Sequence, residues 1–229
     1  MKLKSFGCSF IFGTDLADDG RDGLYATPSQ LTWPAHLAKN LNLEYECHAR
    51  PGSGNLQILE RLLNQIDSST SADLFVIGWT WMDRFDHYDS NYNPAIKRTP
   101  WSTIMPIDET ALAQTYYKHL HSEYRDKFAS LGYIKLAMDT LDQRGIPFVM
   151  TVMDELMFDR LWHSTSATQL LQDHVKPRLT MFEEQTFLNW SRVHGYAESP
   201  AWHPLEQAHE AAGQLMTKIY LENSHHKPG

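Results

Sequence analysis

The run Leu74-Phe75-Val76-Ile77-Gly78 constrains this chain more than any other five residues in it. It offers no polar face to water, so a strand built from it must be covered on both sides, as in a parallel sheet lying between layers of helices. Neighbouring segments repeat the theme. Leu3 to Phe12 is a short apolar run that passes Gly7 and Gly13 into the acidic stretch Asp15–Gly23, and it reads as a strand delivering a loop. Leu31, Trp33, Leu37, Leu41 and Leu43 recur at near-helical spacing, with Pro34 where a first turn tolerates it, and predict a helix over about 32–42. Glu44–Ala49 reads as a second strand closed by Arg50-Pro51-Gly52-Ser53-Gly54, and Leu56, Leu59, Leu62, Leu63 and Ile66 stripe the next helix.

Further on, Ala111–Arg144 has helical patterning with a predicted break around Gly132, and Ile146–Val152 supplies a fourth strand. A loop-plus-helix region reaches Val193, and a last helix runs from Pro204 through Ala208, Ala212, Leu215, Met216 and Ile219. Asp83–Thr110 is too long for an ordinary connection. Its Tyr88, Tyr92, Pro94, Pro100, Trp101 and Pro106 suit a lid over a ligand, with a contact between two copies of the chain as the competing reading. Strands alternating with helices predict an α/β fold, three layers deep with a mainly parallel sheet, in one domain over 1–222 followed by a polar tail over 223–229.

Composition excludes several functions. Twenty Lys and Arg against 28 Asp and Glu leave a formal charge of −8, and no basic cluster exists to hold a nucleic-acid backbone. No stretch approaches the roughly 20 apolar residues that cross a bilayer, and the start lacks the pattern of a secretion signal. Cys8 and Cys47 are too few for a disulfide framework, so the expectation is a cytoplasmic protein with two buried thiols. His119 and His121 are spaced wrongly for a shared helix face, and His225-His226 lie in the tail, so no metal is expected. Gly7-Cys8-Ser9 is not the G-x-G-x-x-G turn of a dinucleotide site, and no cofactor is expected.

Ligands of such sheets collect beyond the carboxyl ends of the strands. Ser9 follows the first strand, Gly52-Ser53-Gly54-Asn55 the second and Gly78-Trp79-Thr80 the third, while His203 precedes the last helix. A serine hydroxyl becomes nucleophilic when an imidazole takes its proton, and amides at a glycine turn steady the oxyanion that forms. The plainer reading of Ser9 is a helix cap, and that of Cys8 is a thiol turned into the sheet.

In order and spacing these segments resemble the blocks of the SGNH hydrolases, the GDSL-like esterases and lipases. Phe6-Gly7-Cys8-Ser9-Phe10-Ile11-Phe12-Gly13 resembles a variant first block, Arg50-Pro51-Gly52-Ser53-Gly54-Asn55 the second, Gly78-Trp79-Thr80 the third, and Trp202-His203-Pro204 the last. The resemblance implies a flavodoxin-like α/β/α architecture and an ester hydrolase with Ser9 as nucleophile and His203 as base. Ser9, Gly52, Asn55 and Thr80 are then the oxyanion-hole candidates. Thr80 stands where the family has an asparagine, and Pro200 where it has the aspartate that orients the histidine. Glu198 is the nearest acidic replacement, and a Ser-His dyad held by a backbone carbonyl is the other solution.

The expected reaction is cleavage of a small-molecule or carbohydrate ester through an acyl-enzyme, an O-acetyl group being suggested by aromatics that can stack on a sugar. Trp79, Trp81 and Arg84 are the substrate-binding candidates. The alternative is a noncatalytic glycan- or nucleotide-sugar-binding protein descended from such a hydrolase. Self-association stays open.

Overall fold

A computed structural model describes residues 1–20, 27–93 and 99–224. Its centre is a four-stranded sheet of β1 (Lys2–Phe6), β2 (Glu44–Cys47), β3 (Leu74–Trp79) and β6 (Phe148–Val152). The order is β2-β1-β3-β6 with every pairing parallel, so the flavodoxin-like α/β expectation holds. The chain steps from β1 outward to β2 and returns to β3 on the other side of β1, which places the topological switch beside β1.

All six residues of β3 are buried, and alternation divides them between two cores. Leu74 and Val76 join Trp33 and Leu37 of α2 (Trp33–Asn40) and Ala208, Ala212 and Met216 of α8 (Glu206–Ser224). Phe75, Ile77 and Trp79 face the opposite layer. There Ile58 and Leu62 of α3 (Asn55–Leu63) meet Leu131, Ile134, Met138 and Leu141 of α5 (Glu123–Gln143). Each Val, Leu, Ile, Met or Phe among them contributes about 1.5–3 kcal/mol when fully buried.

Three boundaries differ from the sequence reading. The first strand stops at Phe6, because Gly7 and Cys8 lead into a single helical turn, α1 (Ser9–Phe12), whose Ile11 and Phe12 amides both reach the Cys8 carbonyl. A Cβ on Gly7 or Gly78 would lie 2.4 or 2.6 Å from Ile11 Cγ1, so these two bare positions let the turn sit down on the strand ends. The helical break expected at Gly132 falls instead between α4 (Ala111–His119) and α5, where Ser122 caps the second helix, and Gly132 is accommodated inside α5. The last helix runs to Ser224, past the expected boundary at 222; residues 225–229, with His225 and His226, lie outside the described residues.

Within the long connection, β4 (Phe85–Tyr88) pairs antiparallel with β5 (Trp101–Ile104). Pro94 lies outside the described residues. Asp86 fastens this hairpin to the start of α3. Its carboxylate accepts the Gly54 amide at 2.9 Å, the Gln57 amide at 3.0 Å, the Gln57 side-chain amide at 2.9 Å and the Thr103 hydroxyl at 2.7 Å. A carboxylate at a helix N-terminus is favoured by both the orphan amides and the helix dipole. Two further helices, α6 (Ser166–Val175) and α7 (Phe187–Val193), complete the layers. No helix among the described residues is long and apolar enough to cross a membrane.

Candidate active site

Ser9 opens α1 immediately beyond the carboxyl end of β1, and His203 lies three residues before α8. Their side chains meet: His203 Nε2 is 2.9 Å from Ser9 Oγ. The other ring nitrogen, Nδ1, is 2.7 Å from a carboxylate oxygen of Asp15. A carboxylate can only accept from a neutral imidazole, so Nδ1 carries the proton and Nε2 is the acceptor turned to the serine.

Asp15 reaches this position because Gly13, at φ +83°, ends the helical turn with its amide on the Ser9 carbonyl, and Asp15 itself bends back at φ +73°. Aspartate tolerates the left-handed region better than most residues. Ser199 secures the arrangement. Its hydroxyl donates to the same Asp15 oxygen at 2.7 Å and accepts the His203 amide at 3.2 Å, and its own amide donates to the His203 carbonyl at 2.8 Å. The intervening Trp202 is 68% exposed and held at φ +63°.

The acid beside His203 is therefore not Glu198. That carboxylate is engaged by Arg192, whose Nε and Nη2 donate at 2.8 and 3.0 Å. Nor is a backbone carbonyl needed to hold the ring. Asp15 was visible in the sequence only as part of an acidic loop. The signal that singles it out is its distance from Ser9, one closed helical turn plus a left-handed reversal.

Of the oxyanion candidates, the Asn55 side chain is engaged elsewhere. The Asn55 side-chain nitrogen donates to the Thr80 carbonyl at 3.2 Å and to Ser130 Oγ at 3.1 Å, and its oxygen accepts the Thr80 amide at 2.9 Å. Both of its N–H groups are used in tying α3 to β3 and α5. Thr80 is fully buried, and its hydroxyl has no hydrogen-bond partner among the described residues. The Gly54 amide is taken by Asp86 and the Ser53 amide by the Arg50 carbonyl. The amides of Ser9 and Gly52 have no hydrogen-bond partner among the described residues. Gly52 stands at φ +76° with nothing within 4 Å of where a Cβ would be.

The loops that carry these two amides are joined directly. The Arg50 amide donates to the Gly7 carbonyl at 3.1 Å, and Arg61 Nη2 bridges the Gly7 carbonyl and Ser53 Oγ at 3.3 and 2.8 Å. Burial, with Arg50 nearby, pushes the Arg61 guanidinium down to about 10.

The aromatic candidates separate. Trp79 is fully buried in the sheet core with its indole nitrogen toward Met150 Sδ, so it cannot line a cleft. Trp81 is partly exposed, and its ring lies 5.5 Å from Phe10, which in turn packs edge-on 5.0 Å from His203. Arg84 sits 5.1 Å over Trp81 and donates to the Ser53 carbonyl at 3.1 Å.

Elsewhere, no cluster of metal-binding side chains occurs among the described residues. His121 lies beyond the end of α4, with Nε2 2.9 Å from the buried Asp126 carboxylate, while His119 is exposed. Cys8 is buried beneath the α1 turn, and Cys47, only partly buried, is also a free thiol.

No protein-family model and no curated protein sequence matches the chain. Solved structures do. A lipolytic protein of the G-D-S-L family from Desulfitobacterium hafniense superposes over 95% of this chain and 98% of its own, at 11% identity and a TM-score of 0.50. A carbohydrate esterase family 2 enzyme with a carbohydrate-binding domain, from Corynascus thermopiles, matches 96% of this chain and 65% of its own, at 13% identity and a TM-score of 0.52. The psychrotrophic esterase EstA from Pseudoalteromonas gives 97% and 99%, at 10% identity and a TM-score of 0.50. The chain has the α/β/α fold of the SGNH hydrolases, the GDSL-type esterases and lipases.

Proposed function

We propose that this protein is a serine ester hydrolase in which Ser9, His203 and Asp15 act as a triad. The single observation that carries the reading is the continuous relay from Ser9 Oγ through both nitrogens of His203 to Asp15. Ser9 attacks the ester carbonyl while His203 Nε2 takes its proton, and Asp15 stabilises the imidazolium and fixes the tautomer. The amides of Ser9 and Gly52 steady the oxyanion. As the tetrahedral centre collapses, His203 returns the proton to the departing alcohol, and water, activated by the same imidazole, then releases the acid from Ser9. With no side-chain amide free at the hole, two backbone donors do what three often share, and one such donor is typically worth about 10²–10³ in turnover.

The likeness in fold to esterases, one of them a carbohydrate esterase, supports an ester as substrate, with an O-acetyl sugar as the first class to try. The reading as a noncatalytic binder drew on the missing carboxylate three residues before His203, and Asp15 removes that reason. An alkyl fluorophosphonate tests the reading. Stoichiometric labelling on Ser9, lost in Ser9→Ala and slowed in His203→Ala, is the expected result; a protein that takes no label between pH 6 and 9 overturns it.

A further inference from the structure

Three arginines crowd one turn of an acidic protein. Arg50 opens the turn Arg50–Gly54, Arg84 donates to the Ser53 carbonyl, and Arg61 donates to Ser53 Oγ. Among the described residues none of the three has a carboxylate within ion-pair distance, in a chain whose net charge is −8. The acids nearby are otherwise occupied. Asp86 spends its oxygens on the Gly54 and Gln57 amides, the Gln57 side chain and Thr103. The Asp83 carboxyl is pushed up by burial and by Asp154, which makes it a poor counter-ion.

Like charges on one turn are unfavourable unless something negative joins them; Arg61 is lowered chiefly by its burial and secondarily by the charge of Arg50. Arg61 is buried and braces Gly7, Ser53 and Gln57 through its two terminal nitrogens, whereas Arg50 makes no side-chain hydrogen bond to a described residue and Arg84 spends one donor of five. From Arg84 the contacts run unbroken to the reacting atoms, through the faces and edges of Trp81, Phe10 and His203 to Ser9 Oγ.

We propose that the ester accepted by this site carries an anionic group, a carboxylate or a phosphate, seated against Arg50 and Arg84 beside Trp81. The proposal rests on Ser9 as the reacting centre. Guanidinium is suited to the task because its planar fork pairs with either oxyanion through two donors at once. An aromatic face beneath the cation holds the ring or chain that carries the charge.

The test uses Ser9→Ala protein, so that binding is read without turnover, with three matched probes: 3-O-acetylglucose, 3-O-acetylglucuronic acid and 3-O-acetylglucose 6-phosphate. Calorimetry is expected to give at least one anionic probe an affinity about tenfold above the neutral one at low salt, narrowing as ionic strength rises. The stronger of the two names the anion. Adding Arg84→Gln or Arg50→Gln is expected to shrink that ratio about fivefold, whereas a general loosening of the fold lowers all three affinities together. Equal affinity for the three probes, or a ratio untouched by both variants, overturns the proposal. Wild-type protein that labels on Ser9 and cleaves neutral esters while the probes bind alike would sink this proposal alone. Anion preference in a protein whose Ser9 never labels would sink the triad and leave the subsite standing.

Discussion

His203 and His209 lie six residues apart at the start of one helical segment and do opposite things. His203 keeps 13% of its side chain exposed, with a carboxylate on one nitrogen and a hydroxyl on the other. His209 is 1% exposed, accepts the backbone amide of Trp33 at 3.0 Å through Nδ1 and packs 4.8 Å from Phe187. Burial pushes His209 down to about 3, aided by the charges of His36 and His203, so it stays neutral and serves as a cap for α2. The same side chain is suited to carrying a proton, the role proposed for His203, or to pinning structure, according to whether an anion and a path to solvent accompany it.

The largest change expected from breaking this contrast is at Asp15. Asp15→Asn removes the charge that fixes the His203 tautomer and is expected to lower ester turnover by roughly 10²–10⁴. Glu198→Gln is expected to leave turnover within about twofold, since its carboxylate is held by Arg192 and makes no bond to Ser9, His203 or Asp15. Equal losses in the two variants would return the acid to an open question.

His209→Ala is expected to cost about 2–4 kcal/mol in denaturant unfolding, from an orphaned buried amide together with a cavity. It should also change the pH dependence. A group whose folded pKa lies below its unfolded value near 6.5 stabilises fully above that pH and loses its contribution as acid protonates the unfolded chain first. Wild type is therefore expected to lose stability from this residue as pH falls below 6.5 toward about 3, and His209→Ala to show a shallower slope. Asn55→Ala comes next, at about 1–3 kcal/mol, because three buried partners lose their bonds. Its expected effect is on melting temperature ahead of chemistry; turnover falling a hundredfold in a normally stable Asn55→Ala would put Asn55 back in the oxyanion hole.

Trp202→Gly is the smallest. Glycine relieves about 1 kcal/mol at φ +63° while little buried surface is lost, so stability is expected to rise or hold in a thermal melt. A clear fall would mean that this indole braces the His203 loop.

The parts of the fold that the sequence displayed are those where pattern and burial coincide. Five apolar residues from Leu74 demanded two covered faces, and β3 is buried along its whole length. Ser9 and His203 followed from their places at the ends of elements, and the structure brings their side chains within hydrogen-bond distance. The rest depended on what fills a hydrogen bond, which residue type does not reveal. Asn55, with the right chemistry for an oxyanion donor, is spent on Thr80 and Ser130. Trp79 looked like a platform and is a core residue, because strand alternation turns it inward beside Ile77. Asp15 was hidden by a left-handed backbone, whose reversal no periodicity encodes.

With Asp15 only six positions beyond Ser9, the proposed acid and nucleophile belong to one short stretch, and the histidine between them comes 188 residues after Asp15. A growing or clipped polypeptide thus holds an inert hydroxyl and a lone carboxylate until α8 lays itself along α2, where Gly213 permits close approach to Trp33 and His36. If the proposed triad holds, reactivity at Ser9 reports when the His203 segment has docked, readable in a refolding experiment with no probe other than the covalent inhibitor.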